Sequence, residues 1–167
     1  MGLVSDRLKL PLLAAAQAQK EVTHNEALAL ADIAMQAVVQ SVAPATVPTS
    51  PVVGQCWIVG VAPAGAWAGR AGNIAGWTSG GWRFVVPFEG MQAWSVADNV
   101  TVRRGASLWT TGALTAASLS VSGQQVVGAR GARITAPTGG TTIDSQARAA
   151  ITALIVGLET HGLFSAT

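Results

Sequence analysis

A chain of 167 residues with a net charge of +2 and one cysteine has room for one domain and an attachment segment. It has no internal disulfide and no basic surplus of the kind that tracks nucleic acid. Half of its residues are apolar and only 11% are charged, against about a quarter in an ordinary soluble domain, so either Ser, Thr, Gln and backbone cover its surface or, the favoured reading, much of that surface is buried against other subunits.

Membrane insertion does not fit. A spanning helix needs about 20 consecutive apolar residues, and the longest candidate, 27–39, is broken by Asp32 and Gln36. Lys9 precedes an apolar run at 10–16, but Gln17, Gln19, Lys20 and Glu21 follow at once. That is too short for a secretory signal, and synthesis in the cytoplasm is expected.

In chain order, residues 1–11 read as an irregular or extended arm. Residues 14–42 are Ala-rich and read as helical, with Asn25 as an N-cap or break. Leu28, Ala31, Met35, Val38 and Val42 recur in steps of three and four, one seam of a helix. Two readings of that seam stand: a short coiled coil that joins subunits, or an amphipathic helix lying on a sheet. Pro44, Pro48 and Pro51 then end the helix and form an extended linker.

All six tryptophans, Trp57, Trp67, Trp77, Trp82, Trp94 and Trp109, follow within a glycine-rich stretch. Residues 55–61 read as a buried strand. Residues 73–78 and 82–86 form a hairpin around Ser79-Gly80-Gly81, and 90–96 and 101–109 are further strands, the second interrupted by Gly105. Beyond Leu114, Leu119 and Val121 face Val126-Val127 across a turn at Ser122-Gly123. A C-terminal helix begins near Ser145, capped by Thr142 or Asp144. Ala147, Ile151, Leu154, Ile155 and Leu158 share one face, and Gly162 with Leu163 closes the helix in a Schellman-type end. His161 sits in the last turn, where the helix dipole favours a cation.

The expected organisation is therefore an arm and attachment or oligomerisation helix at 1–43, a Pro-rich linker at 44–53, an antiparallel Trp/Gly-rich β body at 54–140 and a C-terminal helix at 141–167. The fold class is α+β, in an oligomeric, spike- or fibre-like assembly. Leu28, Ala31, Met35, Val38, Val42, Ile151, Leu154 and Leu158 are the candidate oligomerisation residues.

Chemistry-bearing residues are sparse. His24 lies near Glu21 and Glu26, but those spacings do not share a helical face and no second nearby His or Cys completes a metal site. Cys56, beside Trp57 in an apolar run, reads as a small core residue. The glycines of 60–81 lack the Gly-Lys-Ser/Thr or dinucleotide pattern of a phosphate loop. No cofactor is expected. Of eight acids, only Glu89 and Asp98 fall in the Trp-rich stretch. They could serve a polysaccharide-degrading enzyme as a carboxylate pair, or simply be turn residues. Tryptophan rings can stack on the apolar C–H faces of sugars, and Trp67, Trp77, Trp82 and Trp94 are the candidate platforms, with core packing as the competing role of each. A stand-alone carbohydrate-binding module is thus one reading.

A second reading comes from ordered motifs. The run Leu10-Pro11-Leu12-Leu13-Ala14-Ala15-Ala16-Gln17-Ala18-Gln19-Lys20-Glu21-Val22-Thr23-His24-Asn25-Glu26-Ala27-Leu28 is followed by Pro51-Val52-Val53-Gly54-Gln55-Cys56-Trp57-Ile58-Val59-Gly60, by Gly65-Ala66-Trp67-Ala68-Gly69 and by Gly81-Trp82-Arg83-Phe84-Val85-Val86-Pro87-Phe88-Glu89-Gly90-Met91. Val126-Val127-Gly128-Ala129-Arg130, Thr142-Ile143-Asp144 and His161-Gly162-Leu163 close the series. Together they resemble an uncharacterised family of structural proteins from alphaproteobacterial prophages and gene transfer agents. The resemblance implies a head-spike or tail-fibre component with no enzyme activity, assembled on the exterior of a phage-like particle, and it brings no functional residues with it. Some relatives carry additional fibre sequence, so the expectation here is a short spike, base or adaptor. The implied partners are further copies of the chain (a trimer favoured over a pentamer) and a capsid or fibre subunit; host capsular polysaccharide is the partner that the Trp-rich body suggests.

Overall fold

Helix α1 spans Lys20–Ala34 in the computed structural model, which describes residues 3–15, 20–44 and 46–165. The opening of the helix expected from residue 14 includes positions 16–19, which lie outside the described residues. Its end differs from expectation. Met35 and Gln36 form a turn, Gln36 takes a positive φ of 46°, and β1 follows at Ala37–Val39. The predicted seam therefore does not exist as one face. Leu28 and Ala31 are half-buried on α1, Met35 lies in the turn, Val38 faces outward from β1, and Val42 bridges to Ile58. Two causes end the helix early. The Arg7 guanidinium donates to the carbonyls of Asp32, Met35 and Gln36, satisfying groups a longer helix would use itself. The β-branched pair Val38-Val39 also gains a place on a sheet.

The chain divides into two compact units, Met1–Ala113 and Leu114–Thr167, so the expected 54–140 body falls across both. In the first unit the arm folds back on its own helix. The backbone N–H groups of Arg7 and Leu8 donate to the buried Asp32 carboxylate at 2.8 and 2.6 Å, and that of Ser79 donates to Asp6 at 2.9 Å. Asn25 is no cap. It sits within α1 and exchanges two hydrogen bonds with the backbone of Leu13. A Glu26–Arg83 ion pair at 2.8 Å joins α1 to β4.

Two sheets follow. One is antiparallel, in the order β2 (Cys56–Ile58), β3 (Ile74–Thr78), β4 (Gly81–Val85). The other runs β1, β5 (Gln92–Ser95), β6 (Val100–Arg104), β7 (Trp109–Thr111). It is antiparallel except that β1 pairs parallel with β5. The Pro-rich stretch is a loop within this unit. Just before it, Ala43 donates to Ile58, so residues 40–43 run beside β2.

The sheet β2-β3-β4 is covered on both faces, which is why β2 reads as an unbroken apolar run. Cys56, Ile58 and Ile74 meet Ile33 of α1 and Val39, Ala93 and Val102 of the other sheet in one core. Trp57, Val59, Trp67 and Ala75 form a second core. Helix α1 lies close on β3 because position 76 is glycine, where a Cβ would stand 2.5 Å from Ile33 Cδ1.

The second unit holds a hairpin, β8 (Leu119–Val121) and β9 (Gln124–Val127), and helix α2, Ser145–Thr160. The hairpin turns at Ser122 and Gly123, both at positive φ (51° and 77°), as a tight two-residue turn matched to strand twist requires. Both ends of α2 are as expected. The Asp144 side chain accepts from Ala147 N–H at 2.9 Å. Gly162 takes φ 76°, and Leu163 and Gly162 donate to Leu158 and Glu159, the paired bonds of a Schellman end.

Candidate functional site

Burial sorts the six tryptophans. Trp57, Trp67, Trp77 and Trp82 pack edge-on or tilted, with centroids 5.0 to 6.3 Å apart. Trp67, expected as a platform, is only 1% exposed, and Trp57 and Trp82 lie within 6.3 Å of it; it has no face left for a ligand. A one-turn 3-10 helix, Gly65–Trp67, drops it into that core. Trp77 and Trp82 are half-buried against the same cluster, and Arg70 covers Phe84 at its margin, 5.1 Å from the ring centroid. Trp109 is pinned by its indole N–H donating to the Gly72 carbonyl at 2.8 Å.

Trp94 differs. It is 42% exposed, at the centre of the outer face of the sheet β1-β5-β6-β7. Strand β5 alternates, with Ala93 and Ser95 buried and Gln92 and Trp94 outward. Register does the rest. Val38, Trp94 and Thr101 stand side by side across β1, β5 and β6, and Gln92, Arg103 and Thr110 form the adjoining row across β5, β6 and β7. Directly opposed side chains in such rows are about 4.5–5.5 Å apart at Cβ. A shallow depression of about 290 Å³ is lined by Gln36, Val38, Gln92, Trp94 and Thr101. An apolar ring ringed by amides, hydroxyls and one guanidinium is suited to a flat ligand with apolar faces and hydroxyl edges. Sequence reasoning found Trp94 but missed Gln92, Thr101 and Arg103, whose alternation with Ala93 and Val102 is the signal that places them on its face.

Of the other candidate groups, Asp98, His24 and Glu26 are held by local partners. Asp98 accepts from the Ser95 hydroxyl at 2.6 Å, closing the β5–β6 turn, and Glu89 is exposed in the turn before β5. His24 Nδ1 lies 3.2 Å from the Lys20 carbonyl, and Glu26 is committed to Arg83. Among the described residues, no group of three or more His, Cys, Asp or Glu is placed to hold a metal ion, and no helix is long and apolar enough to cross a membrane.

Cys56 is buried in the first core, and its thiol is pushed up from 9.0 to about 11. Desolvation is the main cause; the Arg7 charge opposes it and Asp32 reinforces it. The thiol stays protonated near neutrality and is a poor nucleophile. Because the folded value is raised, its contribution to stability is whole below pH 9 and is lost as the pH rises through 11. Unfolding monitored by tryptophan fluorescence is expected to show a loss of about 2–3 kcal/mol across that window, and Cys56→Val is expected to flatten the slope.

A search of curated proteins finds no match for the chain. A family model described as "Protein of unknown function (DUF2793)" matches residues 24–110, from within α1 to β7, a span that holds both sheets, the tryptophan core and the Trp94 face. That match covers just over half of the sequence, and the chain belongs to this family.

Proposed function

We propose that this chain is a non-enzymic structural subunit of a phage-like particle, a head-spike or fibre component on the particle's exterior that attaches to host surface polysaccharide through the Trp94 face. The observation that carries the attachment reading is the exposure of Trp94 at the centre of a sheet face, while the other five tryptophans are buried or half-buried. A rigid aromatic ring held on a sheet is a low-entropy contact surface, and Gln92, Thr101 and Arg103 supply polar partners for sugar hydroxyls. The particle assignment is supported by the motif resemblance at both ends of the chain and through its middle, and by the low charge content.

The test is binding of labelled protein to capsulated cells and to capsule-less cells of one host strain. Binding is expected only where capsule is present. Trp94→Ala is expected to weaken it about thirtyfold, as for a hot-spot tryptophan contributing about 2 kcal/mol. Equal binding to both cell types, or undiminished binding by the Trp94 variant, would refute the attachment reading.

A further inference from the structure

Among the described residues of the unit Leu114–Thr167 none is buried. Leu119, Val121, Val126 and Val127 of the hairpin are exposed, and so are Ile151, Leu154 and Val156 of α2, Leu154 to 68%. A lone two-stranded hairpin is marginal in water, a single helix of this length is too, and so small a unit cannot stabilise itself without a core or an external partner. Yet α2 carries a complete N-cap and a complete Schellman end. Its faces are built to be covered.

Three observations identify what covers them. First, every Arg, Asp and Glu of the unit is engaged inside it. Asp144 caps α2, Arg148 donates to the Gly139 carbonyl, Arg133 pairs with Glu159, and Arg130 donates to the Phe164 carbonyl. The apolar faces themselves, Leu119, Val121, Val126 and Val127 on the hairpin and Ile151 and Leu154 on α2, carry no charged side chain to select a charged partner, so the complementary surface is an apolar one, as these faces themselves are.

Second, Ala147, Ile151, Leu154, Leu158 and His161 follow one another in steps of four, three, four and three, a coiled-coil seam. Third, Gly157 stands inside α2, in its last turn, where glycine is disfavoured relative to alanine. A Cβ there would meet nothing within 4 Å, so nothing in the chain itself calls for it. With Ala150 and Ala153 it opens a surface groove beside Leu154 and Leu158, the kind of hole that a side chain of a second helix fills.

We propose that the second unit is the self-association device of this protein: α2 packs against α2 of further copies, parallel and in register, along Ile151, Leu154 and Leu158, and the apolar hairpin is covered in the same assembly. The shared direction rests on the spike reading, in which subunits surround one axis.

The full-length chain allows a clean test. Cys56 is its only cysteine and is buried, so a thiol introduced on α2 reports alone. Leu154→Cys is expected to give disulfide-linked pairs on mild oxidation, since seam residues at one level come within bonding distance. Thr152→Cys, off the seam, is expected to give none. Light scattering is expected to show a multiple of the chain mass, three by preference, with single chains after the double change Leu154→Glu and Leu158→Glu. All six tryptophans lie in the first unit, so an unchanged fluorescence spectrum would show that this variant remains folded there. A native protein that runs as single chains, a Leu154→Cys chain that does not cross-link, or an assembly that survives the double change overturns the proposal. Capsule binding is read separately, so failure of the interface and failure of the attachment reading are distinguishable.

Discussion

Replacing Trp67 with alanine is expected to lower the unfolding free energy of the first unit by about 3–5 kcal/mol, the range for deleting a large aromatic side chain from a core. The ring is fully buried and is packed against Trp57 at 6.3 Å and Trp82 at 5.2 Å. Its removal leaves a cavity and also forfeits two tilted or edge-on aromatic contacts, each worth about 0.5–1.5 kcal/mol beyond burial. The neighbours cannot collapse to fill the space, because Trp57 is held in β2 and Trp82 in β4 by strand pairing. Urea unfolding followed by circular dichroism measures the loss. Trp94→Ala provides the contrast. It is expected to change stability by less than about 0.5 kcal/mol, as at an ordinary surface position, while abolishing most glycan attachment. If the two variants behaved alike in both assays, the division into a tryptophan core and a tryptophan platform would fail.

Asp32→Ala is expected to cost about 2–4 kcal/mol and to release the arm. The carboxylate is buried near the C-terminal end of α1 and accepts from the N–H groups of Arg7 and Leu8. Hydrogen bonds to a charged acceptor are worth about 1.5–3 kcal/mol each, and donors left unsatisfied carry a further desolvation cost. The consequence spreads beyond those bonds. Once the arm detaches, the Arg7 guanidinium leaves the carbonyls of Asp32, Met35 and Gln36, and the turn from α1 into β1 loses its cap. Faster trypsin cleavage after Arg7 and Lys9, together with loss of hydrogen-exchange protection at residues 7 and 8, measures the release. Asp32→Asn is expected to fall between wild type and alanine, because one amide oxygen can accept but the NH₂ group faces a donor. Unchanged cleavage in both variants would show that other contacts hold the arm.

The features legible in the chain are those decided within a few residues. Asp144 announces the start of α2 because an N-cap bond closes over three positions, and Gly162 announces its end because only a residue tolerant of positive φ continues that turn. Ser122-Gly123 and, between β3 and β4, Gly81 at φ 96° mark hairpins for the same local reason, and the unbroken apolar run around Cys56 and Ile58 marks a strand covered on both sides. The coarse class, two helices and mostly antiparallel strands among the described residues, follows from these alone. The steps of three and four from Leu28 to Val42 misled because spacing is the same whether residues 35–42 continue a helix or leave it. That choice was made by Arg7 and by an open edge at β5, more than 25 and 50 residues away in sequence. The sorting of the tryptophans was equally invisible, since each of the six sits among similar small and apolar neighbours. Burial is a property of partners brought together from distant segments: Trp67 entered a core because β2 and β4 supplied Trp57 and Trp82 around it, and Trp94 stayed on the surface because pairing with β1 and β6 turned its side of β5 outward. The sequence by itself determined the caps, the turns and the apolar strands, which rest on local backbone chemistry. Only the tertiary structure decided where α1 ends, which tryptophan faces the solvent and which polar residues surround it, because those depend on strand register and long-range packing.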